Sequence, residues 1–186
     1  MANNVSYVTQ GKPKVGGAVF RAVLDDNLTI PTDSTTALSA DFINMGYISE
    51  DGLSNNNTPD SDEIKAWGGD TVLTPQTGKT DEWTFTMIEA INPEVLKAVY
   101  GASNVTGSLA SGLTVTANSD EPEEACWVFE QVLRGGVILR TVIPDGKITE
   151  IGEVAYVDNE AVGYEVTISA LPDASGNTHY KYMKSA

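Results

Sequence analysis

Nucleophilic chemistry in this chain would have to run through one histidine, His179, and one cysteine, Cys126. A thiol becomes a nucleophile only beside a base or in an electropositive setting. Cys126 instead stands between Ala125 and Trp127-Val128 in an apolar run, the setting of a buried and inert thiol. His179 lies far along the chain, beside Tyr180 and Tyr182. Carboxylates are more plentiful, with Asp60, Asp62 and Glu63 in one cluster and Asp120, Glu121, Glu123 and Glu124 in another. Two acids at a fixed separation suffice for glycoside hydrolysis, but these come without spare loop aromatics on which a sugar would stack. Calcium needs a loop of regularly spaced oxygens, and the spacing fails: the third position from Asp51 is Leu53 and the fifth from Asp158 is Val162. Gly68-Gly69 lacks the lysine and helix of a phosphate cradle. We therefore expect no enzyme, no metal site and no cofactor.

The charge balance speaks against further classes. Eleven Lys and Arg against 26 Asp and Glu leave a net charge of -15, which repels nucleic-acid phosphates and anionic membranes. The longest apolar run, residues 125–129, is far short of the ~20 residues of a membrane span. The start Met1-Ala2-Asn3-Asn4 lacks the basic and apolar regions of a signal peptide. A single cysteine permits no internal disulfide and fits folding in a reducing cytoplasm. With 186 residues, the chain suits one domain that buries about 70% of its unfolded surface.

The elements that must position these residues are mostly strands. Residues 1–17, broken by Gly11, Pro13, Gly16 and Gly17, read as an N-terminal arm, and the remainder, 18–186, as a single domain. A first strand is expected over 15–24, a surface excursion rich in Thr, Ser and Asp over 25–41, and a return to the sheet over 42–48. A turn follows at Glu50-Asp51-Gly52, then a polar loop over 49–61 through Asn55, Asn56, Asn57 and Pro59, then a strand through Ile64 to Trp67 before the Gly68-Gly69 bend. Trp67 reads either as an anchor in the core beneath this loop or as an exposed stacking or interface residue. Residues 72–75 and 82–89 are predicted to pair as a hairpin with Gly78 in its turn and Trp83, Phe85 and Met87 on one buried face. Asn92-Pro93-Glu94 is a helix start, with a side-chain cap, proline at the first position and an acid in the first turn, and Gly101 ends the helix. Further strands are expected over 112–117, 124–133, 136–143, 147–157, 162–171 and 178–183, with tight turns at Arg134-Gly135-Gly136-Val137 and Pro144-Asp145-Gly146-Lys147.

The wording of residues 45–70, followed by Trp83-Thr84-Phe85-Thr86 and the helix start Asn92-Pro93-Glu94-Val95-Leu96-Lys97, resembles the tail tube (major tail) proteins of long-tailed, non-contractile bacteriophages. The resemblance runs from about residue 15 to 94 and returns more weakly in the strand-rich C-terminal half. It implies a mainly β fold: a β-sandwich or barrel of two packed antiparallel sheets, flanked by one α-helix (93–101), with an N-terminal arm and a long inter-strand loop (49–70). It implies a structural virion protein made in the host cytoplasm and placed in the tail. Six copies would close a ring, and rings would stack into a tube that conducts genomic DNA from capsid to host without binding it specifically. The implied partners are other copies of the chain and other tail proteins: tape measure, tail terminator and baseplate or distal tail. By the same resemblance the inter-ring contacts fall on Glu50, Asp51, Leu53, Asn57, Ile64 and Trp67. Asp145, Glu150 and Glu153, in the polar face of the expected hairpin around Pro144-Asp145-Gly146, are candidate acids of the lumen wall. The short stretch after Pro172 leads us to expect no separate immunoglobulin-like decoration. Two alternatives share the strands: a tail-completion or connector subunit of related fold, and the tube protein of a contractile or secretion system. A carbohydrate-binding sandwich should instead show a signal peptide and exposed aromatics.

Overall fold

The computed structural model describes residues 3–185, so Met1 and Ala2 of the expected arm, and Ala186, lie outside the described residues. The strands in chain order are β1 (Lys12–Pro13), β2 (Val19–Val23), β3 (Ile43–Asn44), β4 (Ser54–Ser61), β5 (Ile64–Lys65), β6 (Thr71–Leu73), β7 (Gln76–Met87), β8 (Val105–Ser108), β9 (Gly112–Val115), β10 (Ala125–Val132), β11 (Ile138–Ile151), β12 (Tyr164–Leu171) and β13 (Tyr180–Lys184), with α1 at Pro93–Tyr100. A large antiparallel sheet runs β3-β2-β10-β11-β12-β7-β4, with β1 added on β10 and β13 on β11. Two small hairpins, β5–β6 and β8–β9, complete a mainly β, sandwich-like fold of the class the sequence implied.

The sheet divides into two parts because β11 belongs to both. Its first half, Ile138 to Val142, lies between β10 and β13, and its second half pairs with β12 from Asp145 to Ile151. Strands that pass from one sheet to another in this way make the corners of sandwiches. The expected turn at Pro144-Asp145-Gly146-Lys147 is overturned by this continuity, since all four residues run inside one 14-residue strand. Gly146 serves close packing and not positive φ: a Cβ there would stand 2.9 Å from Ile168 Cγ2 and 3.0 Å from Trp127 Cδ1.

Six consecutive residues of β10, Ala125 to Glu130, are buried, the pattern of a strand covered on both faces. Ala125, Trp127 and Phe129 join the main core with Trp83, Phe85, Ile143 and Val166. Cys126 and Val128 face the other way, into a second cluster with Ala22, Phe42 and Val142. That second face is roofed by the excursion expected over 25–41, which has no strand of its own and contributes Leu28 and Leu38. Buried Arg140 ties it down, donating from Nη1 to the carbonyls of Asp33 at 2.8 Å and Thr36 at 2.9 Å, and from Nε to Glu130 Oε1 at 2.8 Å. Glu130 also receives Lys14, so a buried ion pair acquires the further hydrogen bonds that such a pair requires.

Helix α1 forms as expected. Asn92 Oδ1 accepts from the Glu94 amide at 3.0 Å, Pro93 opens the helix, and Val95, Leu96, Ala98 and Val99 are buried. Elsewhere the expected elements shift. Residues 42–48 supply only β3 and a single bridge from Ile48 to Met87. The hairpin expected between 72–75 and 82–89 does not form. Strand β7 runs unbroken through Gly78, which lies opposite Asp60 in a ladder with β4, while β6 pairs with β5.

Candidate functional site: a projecting arm

Of the polar stretch expected as a loop over 49–61, the turn at Glu50-Asp51-Gly52 forms, with the Gly52 amide donating to the Ser49 carbonyl at 3.0 Å, but Ser54–Ser61 is a strand. Asn, Thr, Ser and Asp are poor strand formers by themselves, but β7 extends beyond the body and offers a free ladder. Ser54 pairs with Thr84, Asn57 with Asp81 and Asp60 with Gly78. Past Ser61 the chain continues into β5 and β6, closed by a turn in which the Ala66 amide donates to the Asp70 carbonyl at 2.8 Å and Gly69 to Ala66 at 3.0 Å. Gly68 and Gly69 take φ of 123° and 100° in this turn, values side chains resist. Every residue from Ser54 to Thr74 is exposed. The result is an arm with polar sides and an apolar tip. Trp67 is fully exposed at 107%, with Ile64, Val72 and Leu73 between 49% and 62% around it. The alternative that Trp67 anchors the core is thereby overturned.

At the arm's root stands Asp81, 3% exposed. Its carboxylate accepts from Asn55 Nδ2 of β4 at 2.9 Å, from the Thr178 hydroxyl, and meets His179 Nδ1 at 2.6 Å. Burial alone would push this carboxyl up, but the hydrogen bonds of Thr178, His179 and Asn55, with electrostatic attraction from the His179 side, hold it below its ordinary value. His179 also meets Trp83 edge-on at 5.4 Å. Sequence reasoning missed this hub. Its one sequence signal is an acid two residues before Trp83, in phase with the apolar alternation of Trp83, Phe85 and Met87.

The six residues expected to make inter-ring contacts are divided between the arm and the turn beneath it. Glu50 and Asp51 are exposed at the turn below its root, Leu53 is half-buried against the main core, Asn57 lies on β4, and Ile64 and Trp67 are near the tip. The three acids proposed for a lumen separate likewise. Glu150 and Glu153 are exposed. Asp145 is half-buried, its Oδ1 sealed from solvent with no hydrogen-bond partner, and burial and the charge of Glu124 push its carboxyl up. Cys126 is buried, its thiol pushed up to about 12 by burial and by Asp145. Among the described residues no group of three or more His, Cys, Asp or Glu is placed to hold a metal, and no helix is long and apolar enough to cross a membrane.

Fold and arm together define a β-sandwich-like protein whose most exposed feature is a long hairpin with an apolar end. Over residues 1–186 the chain matches the family described as phage tail tube protein, and it belongs to that family. It is therefore a structural component of a phage tail. No curated protein matches its sequence. Among solved structures it is similar to the cap that terminates the tube of the anti-feeding prophage, with 10% identity over 100% of both chains and a TM-score of 0.42. It is also similar to the sheath/tube terminator of an extracellular contractile injection system, PVC, in the extended state, with 8% identity over 94% of this chain and 98% of that one and a TM-score of 0.38. Neither likeness is close enough to bear on function.

Proposed function

We propose that the chain is the tail tube subunit of a long-tailed, non-contractile phage: six copies close a ring, rings stack, and the bore conducts the genome. The observation that carries this is the arm. A two-stranded hairpin with no core is marginal in water, and this one holds 21 consecutive exposed residues, 54 to 74, ending in a bare indole. Such an element makes sense when a neighbour covers it. Of the stacking residues, Asn57, Ile64 and Trp67 lie along its length, Glu50 and Asp51 at the turn below its root, and Leu53 fixes its base to the core. The N-terminal arm, residues 1–17, is exposed over most of its described length and held by β1 on β10, and we assign it to the same contacts. The rest of the chain, 18–186, is one domain.

Six chains, each at -15, would line the bore with a negative potential reaching over a Debye length of about 8 Å, so that phosphates slide without trapping. Glu150 and Glu153 are free for that role; Asp145 would reach the bore only through its exposed side. The acids also repel one another, so added salt should promote assembly. Sedimentation over a salt and concentration series, with negative-stain microscopy, tests the proposal. Long hollow tubes are expected. Single rings would point to a tail-completion subunit, and monomer under every condition would refute the proposal. Replacing Thr58–Thr80 by an Asn-Gly turn should leave the circular dichroism spectrum of the body intact and abolish tubes.

A further inference from the structure

The apolar tip has a counterpart at the other end of the same strand. Directly after β7, residues 88–93 line a shallow apolar hollow of about 550 Å³ with Leu109 and Val162, and a second hollow of about 380 Å³ adjoins it across Ile91, walled by Tyr156 and Tyr164. Ile91, Leu109 and Tyr156 are 68%, 60% and 75% exposed. Both hollows are open to solvent on one side, so they offer apolar surface and not an enclosed cavity. The described part of the chain places nothing over them.

We propose that this groove receives the Trp67 tip of a second copy of the chain; the inference rests on the tube reading and names the surface on which its arm lands. Tip and groove are separated by the 12 residues of β7, about 40 Å of extended strand, and the ladder with β4 holds that distance, so no chain fills its own groove. Unlike surfaces at opposite ends of one strand give a heterologous, head-to-tail contact, which closes into a ring or extends without limit according to the rotation between copies; between stacked rings it extends. Area sets its strength. A fully exposed tryptophan offers about 150–250 Å², and with Ile64, Val72 and Leu73 the tip presents an apolar patch of order 400 Å². Docked, one tip and one groove bury roughly 800 Å² in total, below the ~1,200 Å² at which stable pairs begin. One contact does not hold two chains together, whereas several made at once between rings do. Dilute protein therefore stays apart, and growth needs a ring as its template.

A cysteine pair tests the assignment on the full chain, because the only native thiol, Cys126, is buried and unreactive. Ala66→Cys protein, which keeps the Trp67 indole, and Leu109→Cys protein, one of them isotopically labelled, are mixed and oxidised under conditions of tube growth. A mixed disulfide is expected for this pair and none for Ala66→Cys with Asp26→Cys, a control on an exposed site of the 25–41 excursion. Trp67→Ser, and separately Ile91→Glu with Leu109→Glu, should keep the wild-type melting curve and raise the concentration needed for tubes by at least about thirtyfold. Groove variants that assemble at the wild-type concentration, with no mixed disulfide, overturn the groove assignment; if shortening the arm still blocks tubes, the tube reading survives. A mixed disulfide without tubes does the reverse. Wild-type protein giving neither tube nor disulfide removes both.

Discussion

Removing the Asp81 carboxylate should loosen the arm at its root. Asp81 is 3% exposed and gathers three partners from two separate segments: Asn55 on β4, and Thr178 and His179 just before β13. Hydrogen bonds to a charged group contribute about 1.5–3 kcal/mol each. They do not add fully, because the partners recover some bonding to water. Stripping one side of a buried charged network costs about 3–5 kcal/mol, and Asp81→Ala belongs in that range. For a domain of this size that is about 10 °C in melting temperature. Asp81→Asn keeps the volume and should cost less, about 2 kcal/mol. Because the hydrogen bonds hold the carboxyl below its ordinary 3.8, its stabilisation is complete above that value and is lost as pH falls through the lower folded value. The gap between wild type and Asp81→Asn should therefore close on acidification below pH 3.8. Denaturant unfolding measures the total loss. Amide exchange locates it, with faster exchange expected at Ser54–Ser61 and Tyr180–Lys184. If Asp81→Ala unfolds within 0.5 kcal/mol of wild type, about the scatter of surface substitutions, or its amides quicken evenly over the whole sheet, the hub does not hold the arm.

Three other outcomes follow from buried polar groups and a cap. Asp145→Asn should leave stability unchanged or raise it by about 1 kcal/mol at pH 7; the raised carboxyl favours folding most below its ordinary value and loses that contribution as pH rises through the folded one, so the variant should flatten the pH dependence of melting. Glu130→Ala leaves Arg140 buried without its carboxylate and should cost about 3–5 kcal/mol in denaturant unfolding, whereas Lys14→Met, at a partly exposed partner, should cost under about 1 kcal/mol. Asn92→Ala removes the cap on Glu94 and should cost about 1 kcal/mol by the same measurement.

What could be read from the sequence was local. The helix was legible because its signals all sit within ten residues, Asn92 to Gly101, and answer to backbone geometry alone. The alternation Trp83, Phe85, Met87 was legible for the same reason, as was the continuous apolar run at 125–129. The arm was misread because nothing in Asn55-Asn56-Asn57-Thr58-Pro59 favours a strand; what makes it one is a partner 20 or more residues away, Thr80 and its neighbours on β7. Pro144-Asp145-Gly146-Lys147 carried the chemistry of a turn, and tertiary packing overrode it: Gly146 is needed where Ile168 and Trp127 leave no room for a side chain. The buried Glu130 and Arg140, directly opposite in the β10–β11 register, become legible only once that register is known.

The arm's composition then follows from two demands that conflict in a free subunit. A long exposed strand edge invites pairing with any other edge, and natural sheets blunt such edges with charge, proline and polar side chains. Strand β4 has all three, in Asp60, Pro59 and the asparagine run. A contact between copies nevertheless needs apolar area, and the arm confines it to Ile64, Trp67, Val72 and Leu73 beyond the end of the β4 edge. Separating the two keeps the edge from pairing indiscriminately while leaving the tip adhesive. It also explains the charged hub at the root. A tip of order 400 Å² contributes little if its position fluctuates, so the strands behind it must be held, and a buried carboxylate with three directed partners fixes position better than apolar packing of the same size. On this logic, softening the root through Asp81→Asn should weaken tip contacts without altering the tip, and the concentration needed for assembly should rise although Trp67 and the groove are untouched.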